Sequence, residues 1–135
     1  MIAATAIIDW QFESHELPNG DLGDDGAVVF SEAFDVDDLC DAVKNELVSG
    51  IRDYDCTDVS IAGASGMTVG DFTNAARSVT VNDVALLDAK EGSSLFVFRV
   101  ELSGKSIDII DSAASFAYYG SDADSLLSSG ELSEA

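Results

Sequence analysis

The sequence has few of the residues on which several common functions depend. It contains one histidine, two cysteines and one proline in 135 residues. These are too few for a structural zinc site or for a disulfide framework. Cys40 and Cys56 are therefore expected to be reduced thiols, although an oxidising compartment would allow a bridge that closes a loop of about 15 residues.

Long apolar runs and basic side chains are also scarce. No apolar run approaches the roughly 18 to 20 residues that span a bilayer, and residues 1–8 lack the basic segment that opens a signal peptide. We therefore expect a cytoplasmic protein, in the host cytoplasm if it is viral, with no membrane partner. Six lysines and arginines face 26 aspartates and glutamates, so the formal net charge is −20. Such a field repels phosphate and attracts basic protein surfaces, so direct nucleic-acid binding is not expected.

Apolar residues, in contrast, are abundant. They make up 47% of the chain, including seven Phe, three Tyr and Trp10, which is more than a disordered acidic segment contains. The length suits one hydrophobic core. We expect a single domain over residues 1–130, followed by a frayed acidic tail at 131–135.

The first part of the chain predicts two strands and a long helix. Apolar and polar residues alternate over 8–12, and residues 27–34 are rich in Val and Phe, which is typical of strands. The turn-rich residues 14–26 predict that these strands pair as a long-loop hairpin. Asp35 is suited to cap a helix that runs to about Tyr54, because apolar residues then recur every three or four positions.

The rest of the chain predicts shorter elements. Thr68 is suited to cap a second helix with an apolar side that extends to Val79, and Ser121 and Asp124 form a weak capping box for a last helix. Further strands are predicted at 59–63, 80–88, 95–102 and 106–111, the last two as a hairpin. The sequence thus predicts an α+β fold with a mainly antiparallel sheet and two or three helices, in the order β-β-α-β-α-β-β-β-α.

The negative charge is concentrated in one part of the chain. Residues 9–58 hold fifteen acids against Lys44 and Arg52, a balance of −13, whereas residues 59–110 have a balance of −2 and residues 111–135 a balance of −5. A coat that only solvates the protein would spread acids evenly. The concentration of acids in residues 9–58 therefore favours an interaction surface.

Three short motifs resemble functional sites without completing them. Residues 21–32 place acids at positions 1, 5 and 12 of a calcium loop, but Gly23 stands where an oxygen ligand belongs. Residues 104–106 match the end of a phosphate-binding loop, but Arg99 replaces its first glycine, and a hairpin turn is the simpler interpretation. Residues 63–67 resemble a nucleophile elbow with Met67 in place of the second glycine, and only His15 is available as a base.

These observations favour a binding protein over an enzyme, with no catalytic residue, metal or cofactor expected. Our first hypothesis is an inhibitor that imitates the phosphate charge of nucleic acid and blocks the basic groove of a nucleic-acid-handling complex. In size, charge and compactness the chain is similar to phage-encoded inhibitors of restriction and CRISPR complexes. The residues expected to contact the partner are Asp21, Asp24, Asp25, Asp37, Asp38, Asp41, Asp53, Asp55 and Asp58.

Two further hypotheses remain open. An immunity protein or antitoxin that caps the basic site of a toxin would use the same surface. A structural or assembly protein adapted to a salty cytoplasm would also be acidic, and its folding would depend on salt.

Overall fold

The computed structural model describes residues 1–11, 21–22, 28–29, 36–56, 58–89, 95–120 and 125–134. Within these ranges the helices are α1 (Val36–Arg52), α2 (Val59–Ala64), α3 (Val69–Arg77) and α4 (Ile107–Tyr119). The strands are β1 (Ile2–Gln11), β2 (Asp21–Leu22), β3 (Val28–Val29), β4 (Thr80–Ala89), β5 (Leu95–Gly104) and β6 (Leu132–Glu134).

Four of the strands form an antiparallel sheet in the order β4-β5-β1-β6. Alternation decides which side of the sheet is buried: Phe96, Phe98, Val100 and Leu102 on β5 are at most 1% exposed, whereas Arg99 between them is exposed. On the opposite side, Ile7, Asp9 and Arg99 are exposed. The predicted α+β class with an antiparallel sheet is confirmed, in a small single domain.

Helices α1, α3 and α4 share one hydrophobic core with the buried side of the sheet. The predicted apolar stripe of α1 is confirmed, since Leu39, Val43, Leu47 and Ile51 are all buried. Helix α1 packs against α4 and β4. A Cβ atom at Gly50 of α1 would lie 2.8 Å from the Cα atom of Ala117, so the absence of a side chain lets the two helices approach closely.

The second predicted helix is also confirmed. Thr68 precedes α3, and its side chain accepts a hydrogen bond from the Asp71 backbone N–H at 3.1 Å. The strands predicted at 80–88 and 95–102 correspond to β4 and β5. Local patterns therefore identified these elements correctly.

Two strand predictions are wrong because helix caps override short apolar runs. Residues 106–111 begin α4: Ser106 accepts a hydrogen bond from the Ile109 N–H at 3.3 Å, and apolar residues continue through the following turns of the helix. Residues 104–106 are thus a strand-to-helix turn, not a hairpin turn. Residues 59–63 belong to α2, because the Asp58 side chain accepts a hydrogen bond from the Ser60 N–H at 2.8 Å.

Strand pairing and the chain end also differ from the prediction. Strand β1 pairs with β5 and β6, and Val28–Val29 of β3 pair with β2, so the predicted pairing of the first strand with residues 27–34 is wrong for residues 28 and 29. The other residues of that predicted strand lie outside the described residues. Leu132–Glu134 pair with residues 4–6 of β1, which corrects the frayed tail for these three residues. Residues 125–130 form turns where a helix was predicted, and Asp35, Ser121 and Asp124 lie outside the described residues.

Candidate functional site

The first turns of α1 carry two of the predicted contact residues on one side. Asp37 and Asp41 are both exposed, and a spacing of four residues places them one turn apart on the same face of the helix. Asp38 lies in the same helix, but its side chain is outside the described part. The N-terminal end of α1 therefore presents at least two carboxylates to solvent.

Cys40 lies near this end of α1, and its thiol is influenced by carboxylates of both α1 and β4. Its thiol is half-buried against β4, and its pKa is raised above the ordinary value of 9.0, chiefly by burial and then by the negative charges of Asp37, Asp41 and Asp83. A hydrogen bond with the Leu86 backbone opposes the rise. Three carboxylates from two packed elements, α1 and β4, thus act on one thiol. We call Asp37, Asp41 and Asp83 the acidic face.

Sequence reasoning missed Asp83, because it belongs to the nearly neutral part of the chain. It lies on β4, which has irregular pairing with β5 between Val81 and Asp83 and again between Leu86 and Asp88. Such bulges bend a strand and redirect its side chains. The signal in the sequence is that the buried residues Val81 and Val84 are three positions apart, which breaks strict alternation.

The other predicted contacts on described residues lie at the opposite end of α1. Asp53, Asp55 and Asp58 are exposed, and a rise of 1.5 Å per residue places Asp53 about 24 Å along the chain from Asp37. Asp58 also has a structural role as the cap of α2.

This end is not uniformly acidic. Arg52 and Arg77 line the same shallow groove beside β4, and Arg77 Nε donates a hydrogen bond to the Tyr54 carbonyl oxygen at 2.7 Å. The structure therefore separates the predicted contacts into an acidic group and a group with mixed charge.

The acids of the predicted hairpin loop stay a prediction. Asp21 lies on β2, but its side chain is not described, and Asp24 and Asp25 lie outside the described residues. Most of the calcium-like segment at 21–32 and His15 also lie outside the described residues.

In the segment that resembles a nucleophile elbow, Ser65 ends α2 and Gly66 has a φ of +70°. This is a helix end, whereas a nucleophile elbow joins a strand to a helix.

The described residues show no group of three or more His, Cys, Asp and Glu side chains arranged to hold a metal ion. In the same ranges, none of the helices combines the length and the apolar composition needed to cross a membrane.

No protein-family model, curated protein or solved structure matches the chain. Its function is therefore inferred from its own residues.

Cys40 allows the acidic face to be tested without a partner. We expect its thiol to titrate above pH 9.0, and Asp41→Asn or added salt to lower its pKa, because each weakens the charge beside the thiolate. The rate of Cys40 alkylation against pH measures this. Cys56 should stay unreactive, because it is only 3% exposed and its thiol donates a hydrogen bond to the Asp58 carbonyl oxygen. An identical profile for Asp41→Asn would show that the Asp41 carboxylate does not act on the Cys40 thiol and would remove Asp41 from the acidic face.

The sign of the accompanying stability effect follows from the direction of the shift. The pKa of Cys40 is higher in the folded protein than in the unfolded chain, so its contribution to stability is complete below pH 9.0 and is lost as the pH rises through the folded pKa. Tyr118 loses its contribution to stability at high pH in the same way, because burial and the nearby Glu131 and Asp9 raise its pKa above 10.0. We expect unfolding at alkaline pH to begin at a lower denaturant concentration than unfolding at neutral pH.

Proposed function

We propose that the chain is an acidic binding protein that docks its acidic face in the basic groove of a nucleic-acid-handling protein and blocks it. The observation that supports this proposal most is that α1 packs on β4, with Asp37 and Asp41 exposed on the first and Asp83 exposed on the second. The raised pKa of Cys40, to which all three carboxylates contribute, agrees with this placement. The proposed partner is a basic protein surface. The acids act by their charge and not by chemistry.

The carboxylates of the acidic face have the same sign of charge as DNA phosphates, and their spacing is partly similar. Asp37 and Asp41 are separated by about 6 Å along the axis of α1, and Asp83 adds a third charge from the neighbouring strand. Duplex DNA carries a charge about every 1.7 Å of its axis, which is denser. Charge alone would therefore bind such a groove less tightly than DNA does, and we expect complementary shape to contribute to recognition.

Competition with DNA tests this proposal. The immobilised chain is exposed to a lysate of the cells that express it, and retained proteins are eluted with duplex DNA or with an uncharged polymer. We expect DNA alone to release a nucleic-acid-binding protein, because both ligands occupy one groove. Proteins that stay bound in saturating DNA, or that bind DNA and the chain together, would contradict the proposal. Release of a toxin that does not bind nucleic acid would favour the immunity hypothesis.

Two variants of equal net charge locate the interface. The first replaces Asp37, Asp41 and Asp83 by Asn; the second replaces the exposed Asp53, Asp55 and Asp71. We expect the first to weaken partner binding by about tenfold or more at low salt, equivalent to about 1.4 kcal/mol, and the second to weaken it less. Isothermal titration with the captured partner measures both. A larger loss in the second variant would place the interface at the other end of α1.

Folding in dilute buffer separates this proposal from salt adaptation. The described chain buries an extensive core that includes Phe72, Phe96 and Phe98, so we expect it to be folded without molar salt, with stability rising modestly as salt screens the carboxylates. Circular dichroism during a salt titration measures this. A chain that folds only near molar salt would support the salt-adapted alternative.

A further inference from the structure

A cleft lies between α2, α4 and the turns at 125–130, and none of the acidic-face residues lines it. It encloses about 330 Å³, near the lower limit for pockets that bind small ligands. One wall is a polar stripe of α4: Asp108, Asp111, Ser112 and Ser115. Their spacing of three, four and seven residues from Asp108 places all four on one face of the helix.

The carboxylate of Asp111 is fixed in this wall. Its Oδ1 atom accepts hydrogen bonds from Ser115 Oγ at 2.9 Å and from the Leu127 N–H at 3.0 Å, and its Oδ2 atom accepts one from Ser125 Oγ at 2.8 Å. Ser115 Oγ in turn accepts a hydrogen bond from the Leu126 N–H at 2.9 Å. Asp111 is therefore held in one orientation. Its three hydrogen bonds fill three of about four acceptor positions of the carboxylate, which leaves one position for a ligand.

Asp108 adds a second carboxylate at the mouth of the cleft. It is exposed, one turn before Asp111 on the same face, and Ser65 and Ser112 supply hydroxyl groups nearby. The base of the cleft is apolar, formed by Ile61, Tyr54 and Phe72. No basic side chain is among the described residues that line it, so this described lining carries two formal negative charges.

These properties select the chemistry of a ligand. The two carboxylates of the described lining repel anions and attract cations. An apolar base disfavours a strongly hydrated ammonium group, whereas a guanidinium group is weakly hydrated, has apolar faces and directs five N–H donors outward in one plane. Such donors match carboxylate and hydroxyl acceptors arranged along one wall.

We propose that this cleft binds a guanidinium group, with the exposed Asp108 as its main acceptor, Asp111 contributing its charge and one remaining acceptor position, and Ser112 beside them. The group can belong to a free small molecule or to an arginine side chain of a protein. The site does not depend on the proposed function, because none of the residues of the acidic face lines it.

Two guanidinium probes and one neutral probe test this proposal on the whole chain. Agmatine represents the free molecule, and the capped peptide acetyl-Gly-Arg-Gly-amide represents the side chain. The same peptide with citrulline in place of arginine has nearly the same shape and no charge. Amide chemical shifts recorded during each titration report both affinity and place. We expect saturable shifts at 112, 115 and 125–127, with a dissociation constant of about 1 mM for the better guanidinium probe and none for citrulline.

Variants with matched charge decide whether the carboxylates of the cleft are responsible. Asp108→Asn should raise the dissociation constant about tenfold. The control Asp71→Asn removes the same charge from the first turn of α3, outside the cleft, and should change it less than about twofold. Tighter binding of agmatine identifies a small molecule as the ligand, and tighter binding of the peptide identifies a protein side chain. Shifts spread over the whole acidic surface, equal binding of citrulline or equal effects of both variants would overturn the proposal.

Discussion

Replacement of Gly50 by alanine is expected to lower the free energy of unfolding by about 2 to 3 kcal/mol, because the new methyl group has no room. It would lie 2.8 Å from both the Cα and the Cβ atom of Ala117. The backbone of α4 cannot move aside as the end of a flexible side chain can. Helices α1 and α4 would have to separate, which loosens the core between them. Urea unfolding followed by circular dichroism measures the loss.

Gly70 provides the matched control, since it also lies in a helix but has nothing within 4 Å of the place that a Cβ atom would occupy. Gly70→Ala should raise the free energy of unfolding by up to about 1 kcal/mol, through helix propensity alone. Adding Ala117→Gly to Gly50→Ala should recover part of the lost stability. A Gly50→Ala protein as stable as Gly70→Ala would show that α1 and α4 do not pack as closely as described.

Loss of the Asp111 carboxylate is the other change with a large expected effect. Asp111→Ala removes three hydrogen bonds to a charged acceptor and leaves the Ser115 and Ser125 hydroxyls and the Leu127 N–H without this acceptor. We expect unfolding to require about 3 kcal/mol less free energy. The turn at 125–130, which leads into β6, should also lose protection from hydrogen exchange.

Asp108→Ala serves as the control for this second prediction. It removes a carboxylate from the same face of α4 one turn earlier, at an exposed position in the first turn of the helix. Only the favourable interaction with the helix dipole is lost, about 0.3 to 1 kcal/mol. Equal destabilisation by the two variants would show that Asp111 does not anchor the turn.

The elements that the sequence predicted correctly are those with a strong local period. The amphipathic stripe of α1 and the alternation in β5 each bury one side of an element, so the pattern determines both the element and its orientation. Residues 106–111 were misassigned because three isoleucines in a short run fit a strand as well as a helix. The cap at Ser106 and the alanines of the next turn decide for a helix.

Contacts between distant parts of the chain were beyond the sequence. The pairing of β1 with β6 joins the two ends of the chain, and nothing in either segment specifies its partner. The same limit applies to the acidic face. Asp37 and Asp41 share a helix and were predicted together, whereas Asp83 joins them only because α1 packs along β4. The polar stripe of α4 was hidden by the strand prediction for its first residues.

The salt dependence of partner binding tests the acidic face most directly. Between about 0.01 and 1 M salt the Debye length falls from about 30 Å to about 3 Å, which removes most attraction between exposed charges. We predict that the affinity of the captured partner falls steeply over this range, and that the variant lacking Asp37, Asp41 and Asp83 shows a clearly smaller slope than the variant lacking Asp53, Asp55 and Asp71. An affinity that does not change with salt, or equal slopes for the two variants, would contradict an interface formed by the acidic face.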